Sequence, residues 1–170
     1  TNAVTSVAVG TNPRNLAINP VTNRIYVANF SSGNVSVING ATNAVTTFAV
    51  GTAPFAIAVN PVTNKIYAAN LADQSVSVID GATNGVTPVS IGQLPIAVSI
   101  DPVANKIYFA NQVSGNVSVL DGVTLAVATV TAGSSPSAIA ANPVTNRIYV
   151  ANRDGANVTV IDGLTKAEVA

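Results

Sequence analysis

One eleven-residue segment occurs four times at a fixed interval, and this repeat constrains the fold more than any other feature. Its copies read NPVTNRIYVAN at residues 19–29, NPVTNKIYAAN at 60–70, DPVANKIYFAN at 101–111 and NPVTNRIYVAN at 142–152. All four tyrosines of the chain lie in these copies, 41 residues apart. A constant period of this length is typical of proteins built from repeated structural units.

Each period contains four short segments rich in Val, Ile, Thr and Tyr, which favour β-strands. In the first period they cover residues 16–18, 24–29, 34–38 and 44–50. The segments between them contain Asn-Pro, Ser-Gly, Asn-Gly or Asp-Gly, and Gly-x-x-Pro, all of which are typical of turns. No segment has a helical period of useful length, so we expect essentially no helix.

Four antiparallel strands per repeat of about 40 residues predict the blade of a β-propeller. The expected fold is therefore all-β, with four blades of 41 residues in one domain over residues 1–170. A solenoid is the alternative, but its repeats are usually shorter and carry fewer strands. We name the strands of a blade A to D from the axis outward. Pro88 lies in a D strand, which fits an outer edge, because proline in a sheet is confined to edges.

Three motifs recur with the period: Tyr26-Val27-Ala28-Asn29 and its counterparts, Val-Ser-Val-Ile-Asp-Gly at residues 76–81, and Pro-Phe-Ala-Ile-Ala-Val at residues 54–59. Together they resemble the YVTN family of β-propeller repeats over the whole chain, with Ala where the family's third letter is Thr. The resemblance implies a scaffold protein of the bacterial or archaeal surface or secreted type, and no single reaction follows from it. We therefore expect an extracellular or cell-surface location.

The composition excludes several kinds of partner and chemistry. Seven basic and seven acidic residues cancel and only 8% of residues are charged, so the chain offers no basic surface for nucleic acid. No apolar run approaches the ~18 residues of a membrane span, which predicts no membrane insertion. The absence of Cys and His excludes thiolate metal sites and His-dependent triads. We expect no enzymatic activity, no catalytic residue, no metal and no cofactor.

Three aspartates lie one period apart, each directly before a glycine, and two interpretations are open. They form either a carboxylate ring for a metal or catalysis, or a set of turn formers with basic partners across the strands. If Asn29 pairs with Asn34 in the B–C hairpin, each aspartate faces a basic residue. The pairs are then Lys65 with Asp80, Lys106 with Asp121 and Arg147 with Asp162. Facing opposite charges contribute roughly 0.2–1 kcal/mol each, so we interpret all six as structural charge pairs.

The chain begins with a segment like a D strand, because residues 1–10 align with residues 42–51 one period later. The last blade lacks its own D strand, so we expect the N-terminal strand, residues 2–9, to pair with residues 157–161. The tail, residues 165–170, is the weaker candidate, because Glu168 takes a position held by valine in the other copies. Pairing within one chain would close a four-bladed ring, and exchange between chains would give an eight-bladed dimer or a polymer.

Two loop positions vary while their surroundings repeat, one in the B–C loop and one just after the D–A link. We expect both loop sets on one face of the propeller. The apolar residues of this region are predicted to form a contact patch, although some could instead seal neighbouring blades. They are Phe30, Phe55, Leu71, Leu94 and Ile96.

These observations predict a non-catalytic structural or protein-interaction propeller of a secreted or cell-surface assembly, with a protein partner or self-association. The alternative is a lectin-like propeller that binds a ligand or glycan through its B–C and D–A loops. A propeller hydrolase or lyase is the least favoured function.

Overall fold

A computed structural model of the chain describes residues 4–169, which form fifteen β-strands in four antiparallel sheets. Each sheet is called a blade here, and the blades are numbered in chain order. Within a blade, the strands neighbour one another in the order in which they follow along the chain. Blades 1, 2 and 3 contain four strands each, and blade 4 contains three.

Blade 1 contains β1 (Pro13–Asn19), β2 (Arg24–Asn29), β3 (Asn34–Asn39) and β4 (Val45–Ala49). Blade 2 contains β5 (Pro54–Asn60), β6 (Lys65–Asn70), β7 (Ser75–Asp80) and β8 (Val86–Ser90). Blade 3 contains β9 (Pro95–Asp101), β10 (Lys106–Asn111), β11 (Asn116–Asp121) and β12 (Val127–Thr131). Blade 4 contains β13 (Pro136–Asn142), β14 (Arg147–Asn152) and β15 (Asn157–Asp162).

The predicted all-β fold is confirmed, and blades 1 to 3 have the predicted four strands, whereas blade 4 has three in the described residues. The segment predicted at residues 24–29 is β2, and the short segment at 16–18 is the centre of the longer β1. No helix occurs between residues 4 and 169. Pro88 lies on β8, the outer strand of blade 2, which pairs only with β7. Proline lacks the N–H group needed for hydrogen bonding within a sheet, and an edge strand tolerates this because it has one neighbour rather than two.

The A–B turn shows why the repeated segment is so uniform. In blade 2 the side-chain oxygen of Asn60 accepts hydrogen bonds from the N–H groups of Val62 and Thr63, at 3.0 and 3.4 Å. Pro61 fixes φ at the start of the turn. Asn64 ends the turn in the left-handed region, with a φ of 53°, which asparagine tolerates better than most residues. The Asn-Pro-Val-Thr-Asn sequence meets each of these requirements, so its copies form the same turn.

The C–D turn lies where the Asp-Gly dipeptide predicts it, but the glycine has a different role from that in a tight hairpin. The loop of blade 2 covers residues 81–85, and its left-handed residue is Asn84, with a φ of 60°. The N–H group of Gly81 donates to the carbonyl of Asn64 at 2.9 Å. A β-carbon on Gly81 would lie 2.7 Å from the same oxygen, so close approach of two backbones requires the glycine.

The hydrophobic core lies between the blades, where one face of each blade packs on the opposite face of the next. We call the first the tyrosine face; in blade 1 its buried residues are Tyr26, Ala28, Val35 and Val37. We call the second the isoleucine face; in blade 2 its buried residues are Ile57, Ile66, Ala68 and Ile79. Equivalent residues form the cores between blades 2 and 3 and between blades 3 and 4. One interface chemistry therefore holds the four blades together.

The predicted closure by the N-terminal strand is wrong for the residues that the structure describes. Residues 4–9 form no strand, and Val4 is almost fully exposed. Residues 2 and 3 of the predicted strand lie outside the described part of the chain. Blades 1 and 4 share no packing cluster, so residues 4–169 do not close into a ring.

The tail takes the place that was predicted for the N-terminus. Glu168 forms an antiparallel bridge with Ile161, and the N–H group of Val169 donates to the carbonyl of Val160 at 2.7 Å. The carboxylate of Glu168 was expected to disfavour this pairing. Glu168 is exposed, however, so its charge stays in water and the pairing carries no desolvation penalty.

The close approach at the C–D turn is tested by comparing two glycines of one loop. We expect Gly81→Ala to lower the free energy of unfolding by about 1–3 kcal/mol, because overpacking forces the backbone of Asn64 to move. Gly85→Ala should change it by less than about 0.5 kcal/mol, because its β-carbon would approach only the flexible hydroxyl of Thr83, at 3.2 Å. Urea unfolding measures both. Equal effects of the two substitutions would contradict the argument.

The pairing of the tail predicts which end of the chain tolerates truncation. Deleting residues 165–170 removes the bond between Val169 and Val160 and the bond at 2.9 Å from the Asp162 N–H to the Ala167 carbonyl. We expect a loss of about 1–3 kcal/mol in unfolding free energy, since each net hydrogen bond contributes about 1 kcal/mol. Deleting residues 1–8 should have a smaller effect. A larger effect of the N-terminal deletion, measured in the same urea titration, would show that the N-terminus holds the last blade.

Candidate interaction surface

The B–C loops and the D–A links meet at one end of every blade, as the sequence predicts. The first residue of each B–C loop donates its N–H group to a carbonyl of the link at 3.0 Å. In blades 1 and 2 these bonds join Phe30 to Asn12 and Leu71 to Ala53. In blades 3 and 4 they join Gln112 to Leu94 and Arg153 to Ser135. We call the surface formed by these loops and links the loop face.

A buried asparagine at the end of each B strand joins the elements at this end of the blade by hydrogen bonds. Asn111 is fully buried, and its amide donates at 2.8 Å both to the side-chain oxygen of Asn116 and to the hydroxyl of Ser118. The N–H group of Gly92, in the D–A link, donates to the same hydroxyl at 3.1 Å. Sequence reasoning missed this role. The signals were present, since the asparagine ends all four copies of the repeated segment and a glycine begins each link.

The structure brings two of the five predicted contact residues together across a blade junction. The ring centroids of Phe30 in blade 1 and Phe55 in blade 2 lie 6.3 Å apart, with planes at 78°. The guanidinium carbon of Arg14 lies 5.2 Å from the centroid of the Phe30 ring, in a cation–π arrangement. These three residues form what we call the Arg14–Phe30–Phe55 cluster. Arg14 was not among the predicted contact residues, because stacking between residues of different strands has no sequence signature.

The other predicted contact residues have mixed roles. Leu71, Leu94 and Ile96 lie at or near the loop face and are half-buried, like the two phenylalanines. Leu94 has a φ of 54° and forms part of the D–A turn. Phe55 also packs against the core between blades 2 and 3, so part of its surface seals a junction, which was the alternative interpretation. The sealing role is therefore seen for Phe55, and the contact role of the group stays a prediction.

A cleft of about 490 Å³ lies beside the cluster on blade 1. It is lined by Pro13, Arg14, Asn15, Leu16 and Val27. Leu16 and Val27 belong to the isoleucine face of blade 1, which no other blade covers in the described part of the chain. The cleft is therefore an uncovered part of a junction surface rather than an enclosed site.

The six residues of the predicted charge pairs lie at the opposite end of the blades, at the A–B and C–D turns. The strand register pairs Lys65 with Asp80, Lys106 with Asp121 and Arg147 with Asp162. The first two pairs form ion pairs at 2.7 and 2.6 Å. In the third pair the residues face each other, but their side chains form no ion pair.

The aspartates of these pairs also hold the C–D turn. Asp80 accepts hydrogen bonds from the N–H groups of Ala82 and Thr83, at 2.9 and 3.1 Å. The hydrogen bond from Lys65 and these two N–H groups hold the pKa of Asp80 well below its usual range. The hydrogen bond from Lys106 and two turn N–H groups do the same to the pKa of Asp121. The favoured ionised state suits a structural role.

The described residues contain no cluster of three or more carboxylates that could hold a metal ion. Burial, with a smaller effect of the Asp121 charge, raises the pKa of Tyr67 to about 12, and that of Tyr108 also rises to about 12 on burial. These hydroxyls therefore stay neutral at ordinary pH. Between residues 4 and 169, no helix is long and apolar enough to cross a membrane.

Comparison with known proteins establishes the fold and nothing finer. No family model and no curated protein sequence matches the chain, so membership of the YVTN family stays a prediction. Hydrazine synthase of Kuenenia stuttgartiensis superposes with a TM-score of 0.85 at 21% identity, over 100% of this chain and 51% of that chain. A chain of a nidogen/laminin complex superposes with a TM-score of 0.77 at 13% identity, over 93% of this chain and 62% of that chain. The chain thus spans about half the length of the first, and the fold is that of a β-propeller.

The depressed pKa values predict how stability depends on pH. Unfolding returns Asp80 and Asp121 to a pKa of about 3.9, so the stabilisation is complete above about pH 5 and is lost progressively as the pH falls below that value. The variant with both Asp80→Asn and Asp121→Asn keeps turn formers, because Asn39 accepts the same turn bonds in blade 1. We expect its stability to fall less steeply than that of the wild type between about pH 4 and pH 2.

Urea titrations at several pH values measure this difference. The charge control is Glu168→Gln, which removes one carboxylate from the exposed tail and should leave the wild-type slope. If the double variant and the wild type lose stability in parallel, the two ion pairs do not contribute as described.

Proposed function

We propose that this chain is a non-catalytic propeller that binds a protein partner through its loop face, in a secreted or cell-surface assembly. The observation that carries the proposal is the Arg14–Phe30–Phe55 cluster. It joins two blades and places an arginine and two aromatic rings on a frame fixed by buried asparagines.

The composition of the cluster is typical of residues that contribute strongly to protein binding. Aromatic residues and arginine are enriched at interfaces, and arginine is one of the commonest hot-spot residues. Phe30 already contacts both Arg14 and Phe55, so binding would require little further ordering of the surface. Arg14 is exposed and forms no ion pair with any residue of the described chain. The partner that fits is a protein segment with an apolar side chain next to a carboxylate.

The absence of catalysis is proposed from what the three aspartates of the predicted charge pairs already do. Asp80 and Asp121 are held ionised by lysines and by turn N–H groups. Asp162 accepts hydrogen bonds at 2.9 Å from the N–H groups of Leu164 and Thr165. A general acid needs a raised pKa and a free position next to a substrate, and these three residues have neither.

The fold neighbours do not decide between binding and catalysis. One is named for an enzyme and the other for a complex of two proteins, so the same fold serves both purposes. The proposal therefore depends on the site. The extracellular or cell-surface location is proposed from the YVTN-like motifs, and the low content of charged residues agrees with it.

Selection of random peptides displayed on phage against the immobilised chain tests the binding function. We expect enriched peptides to carry an apolar residue beside Asp or Glu. Their affinity should fall about thirtyfold or more for Phe30→Ser and for Arg14→Gln, because a hot-spot residue contributes at least about 2 kcal/mol. Val103→Ser, at an exposed A–B turn, is the matched control and should bind normally.

Two outcomes would contradict the proposal. Peptides that bind Phe30→Ser as well as the wild type would show that the loop face is not the site. The lectin-like alternative predicts instead that a glycan array gives ligands whose binding Phe30→Ser abolishes, while no peptide is enriched.

A further inference from the structure

Blades 1 and 4 present two uncovered faces that match each other. At each of the three junctions inside the chain, the tyrosine face of one blade packs on the isoleucine face of the next. The tyrosine face of blade 4 and the isoleucine face of blade 1 have no such neighbour in the described residues. The two faces left uncovered are thus the two halves of one further junction.

On these two faces, apolar residues are exposed at positions that are covered at the junctions inside the chain. Tyr149 is 38% exposed, whereas the tyrosines of the other three blades are fully buried. Val158 is 57% exposed, whereas Val35, Val76 and Val117 are fully buried. On blade 1, Leu16 and Ile18 are 57% and 55% exposed. Ile57, which is equivalent to Leu16, is buried. Apolar residues that repeat a buried position and remain exposed are typical of an interface.

The polar groups at the edges of the two faces also match. The amide of Asn19 in blade 1 donates to the side-chain oxygen of Asn64 in blade 2 at 2.8 Å, and Asn60 donates to Asn105 at 2.9 Å. Blade 3 has Asp101 at this position, which cannot donate, and there the hydroxyl of Ser99 accepts from the N–H group of Ala141 at 2.9 Å instead. Blade 4 again has asparagine, Asn142, and blade 1 has Asn23 as the acceptor.

A second contact crosses the first junction and could be repeated at the uncovered faces. The guanidinium of Arg24 in blade 1 donates to the carbonyl of Gly81 in blade 2 at 2.7 Å. Arg147 is the equivalent of Arg24 in blade 4, and it forms no ion pair with Asp162. Its position suits a bond to the Gly40 carbonyl of an adjoining blade 1. Blade 4 therefore carries both polar donors of the first junction.

We propose that the tyrosine face of blade 4 binds the isoleucine face of blade 1 of a second copy of this chain. The contact continues the junction that the chain already makes three times, with Tyr149 and Val158 packed near Leu16 and Ile18 of the copy. Asn142 and Arg147 then donate to Asn23 and Gly40 of the copy. Two chains joined in both directions form a closed pair with two equal head-to-tail junctions. This inference is argued from residues other than Arg14, Phe30 and Phe55, although Arg14 lines the cleft next to Leu16 that the copy would cover.

Lysine substitutions on each face test the contact in the full chain. We expect the wild type to form a species of twice the 17.0 kDa chain mass in light scattering at rising concentration. Ile18→Lys and Val158→Lys should each remain at the single-chain mass, because each places a charge in both junctions of the pair. Val144→Lys, at an exposed A–B turn outside both faces, is the control and should pair like the wild type.

An equimolar mixture of the two variants shows whether the contact is head to tail. The Ile18→Lys chain keeps an intact blade 4, and the Val158→Lys chain keeps an intact blade 1, so one junction can form between them. We expect the mixture to recover the doubled mass at a higher concentration than the wild type needs. Circular dichroism and urea unfolding confirm that each variant is folded, and Leu16→Gln replaces Ile18→Lys if that chain unfolds.

Three results would overturn the proposal. One is a wild-type chain that keeps the single-chain mass at every concentration. The second is a Val158→Lys variant that still pairs while Ile18→Lys does not, which would mean that two blade-1 faces meet. The third is a mixture that fails to pair although the wild type does. Loss of peptide binding at Phe30 would leave all of these measurements unchanged, so the two proposals fail separately.

Discussion

The packing of one blade against the next is the interaction on which the whole structure depends. A single four-stranded blade has two apolar faces and can cover neither by itself. The tyrosine faces supply Tyr, Ala and Val to the junctions, and the isoleucine faces supply Ile together with Ala, Val, Leu or Phe. Each fully buried isoleucine contributes roughly 1.5–3 kcal/mol relative to exposure, so the junctions provide most of the hydrophobic stabilisation. The strands within a blade provide mainly the hydrogen bonds that fix the shape of these faces.

The two ends of each blade follow from this arrangement. At one end, buried asparagines such as Asn111 tie the B–C hairpin to the D–A link, so variable residues such as Phe30 lie on a fixed frame. At the other end, ion pairs such as Lys65 with Asp80 hold the A–B and C–D turns. The two ends therefore differ in how much sequence variation they tolerate. The loop face accepts different residues at its variable positions, whereas the charged residues of the turn end stabilise the turns. This difference is the reason for placing the binding function on the loop face.

The parts of the candidate site that depend on residues close together in the sequence were predictable. The facing positions of Lys65 and Asp80 follow from the turn between them, because the register of a hairpin is set by its loop. The position of Phe30 beside the D–A link follows from the order of the strands. The stacking of Arg14 on Phe30 and the contact of Phe30 with Phe55 were not predictable, because they join residues from different strands and different blades.

The sequence by itself determined the period, the strands, the turns and the pairing within each blade. All of these depend on residues close together in the chain, such as Asn60, Pro61 and Asn64 in one turn. Only the tertiary structure decided which segment of the chain pairs with the last strand, β15. The sequence favoured the N-terminal segment as the last strand because Glu168 was assumed to be buried, whereas the tail pairs with β15 and leaves Glu168 in water. Nor could the sequence show that Leu16 and Tyr149 are exposed, because the repeats have similar residues on covered and uncovered faces. Coverage depends on which blades meet in space, and that is fixed by packing between distant parts of the chain.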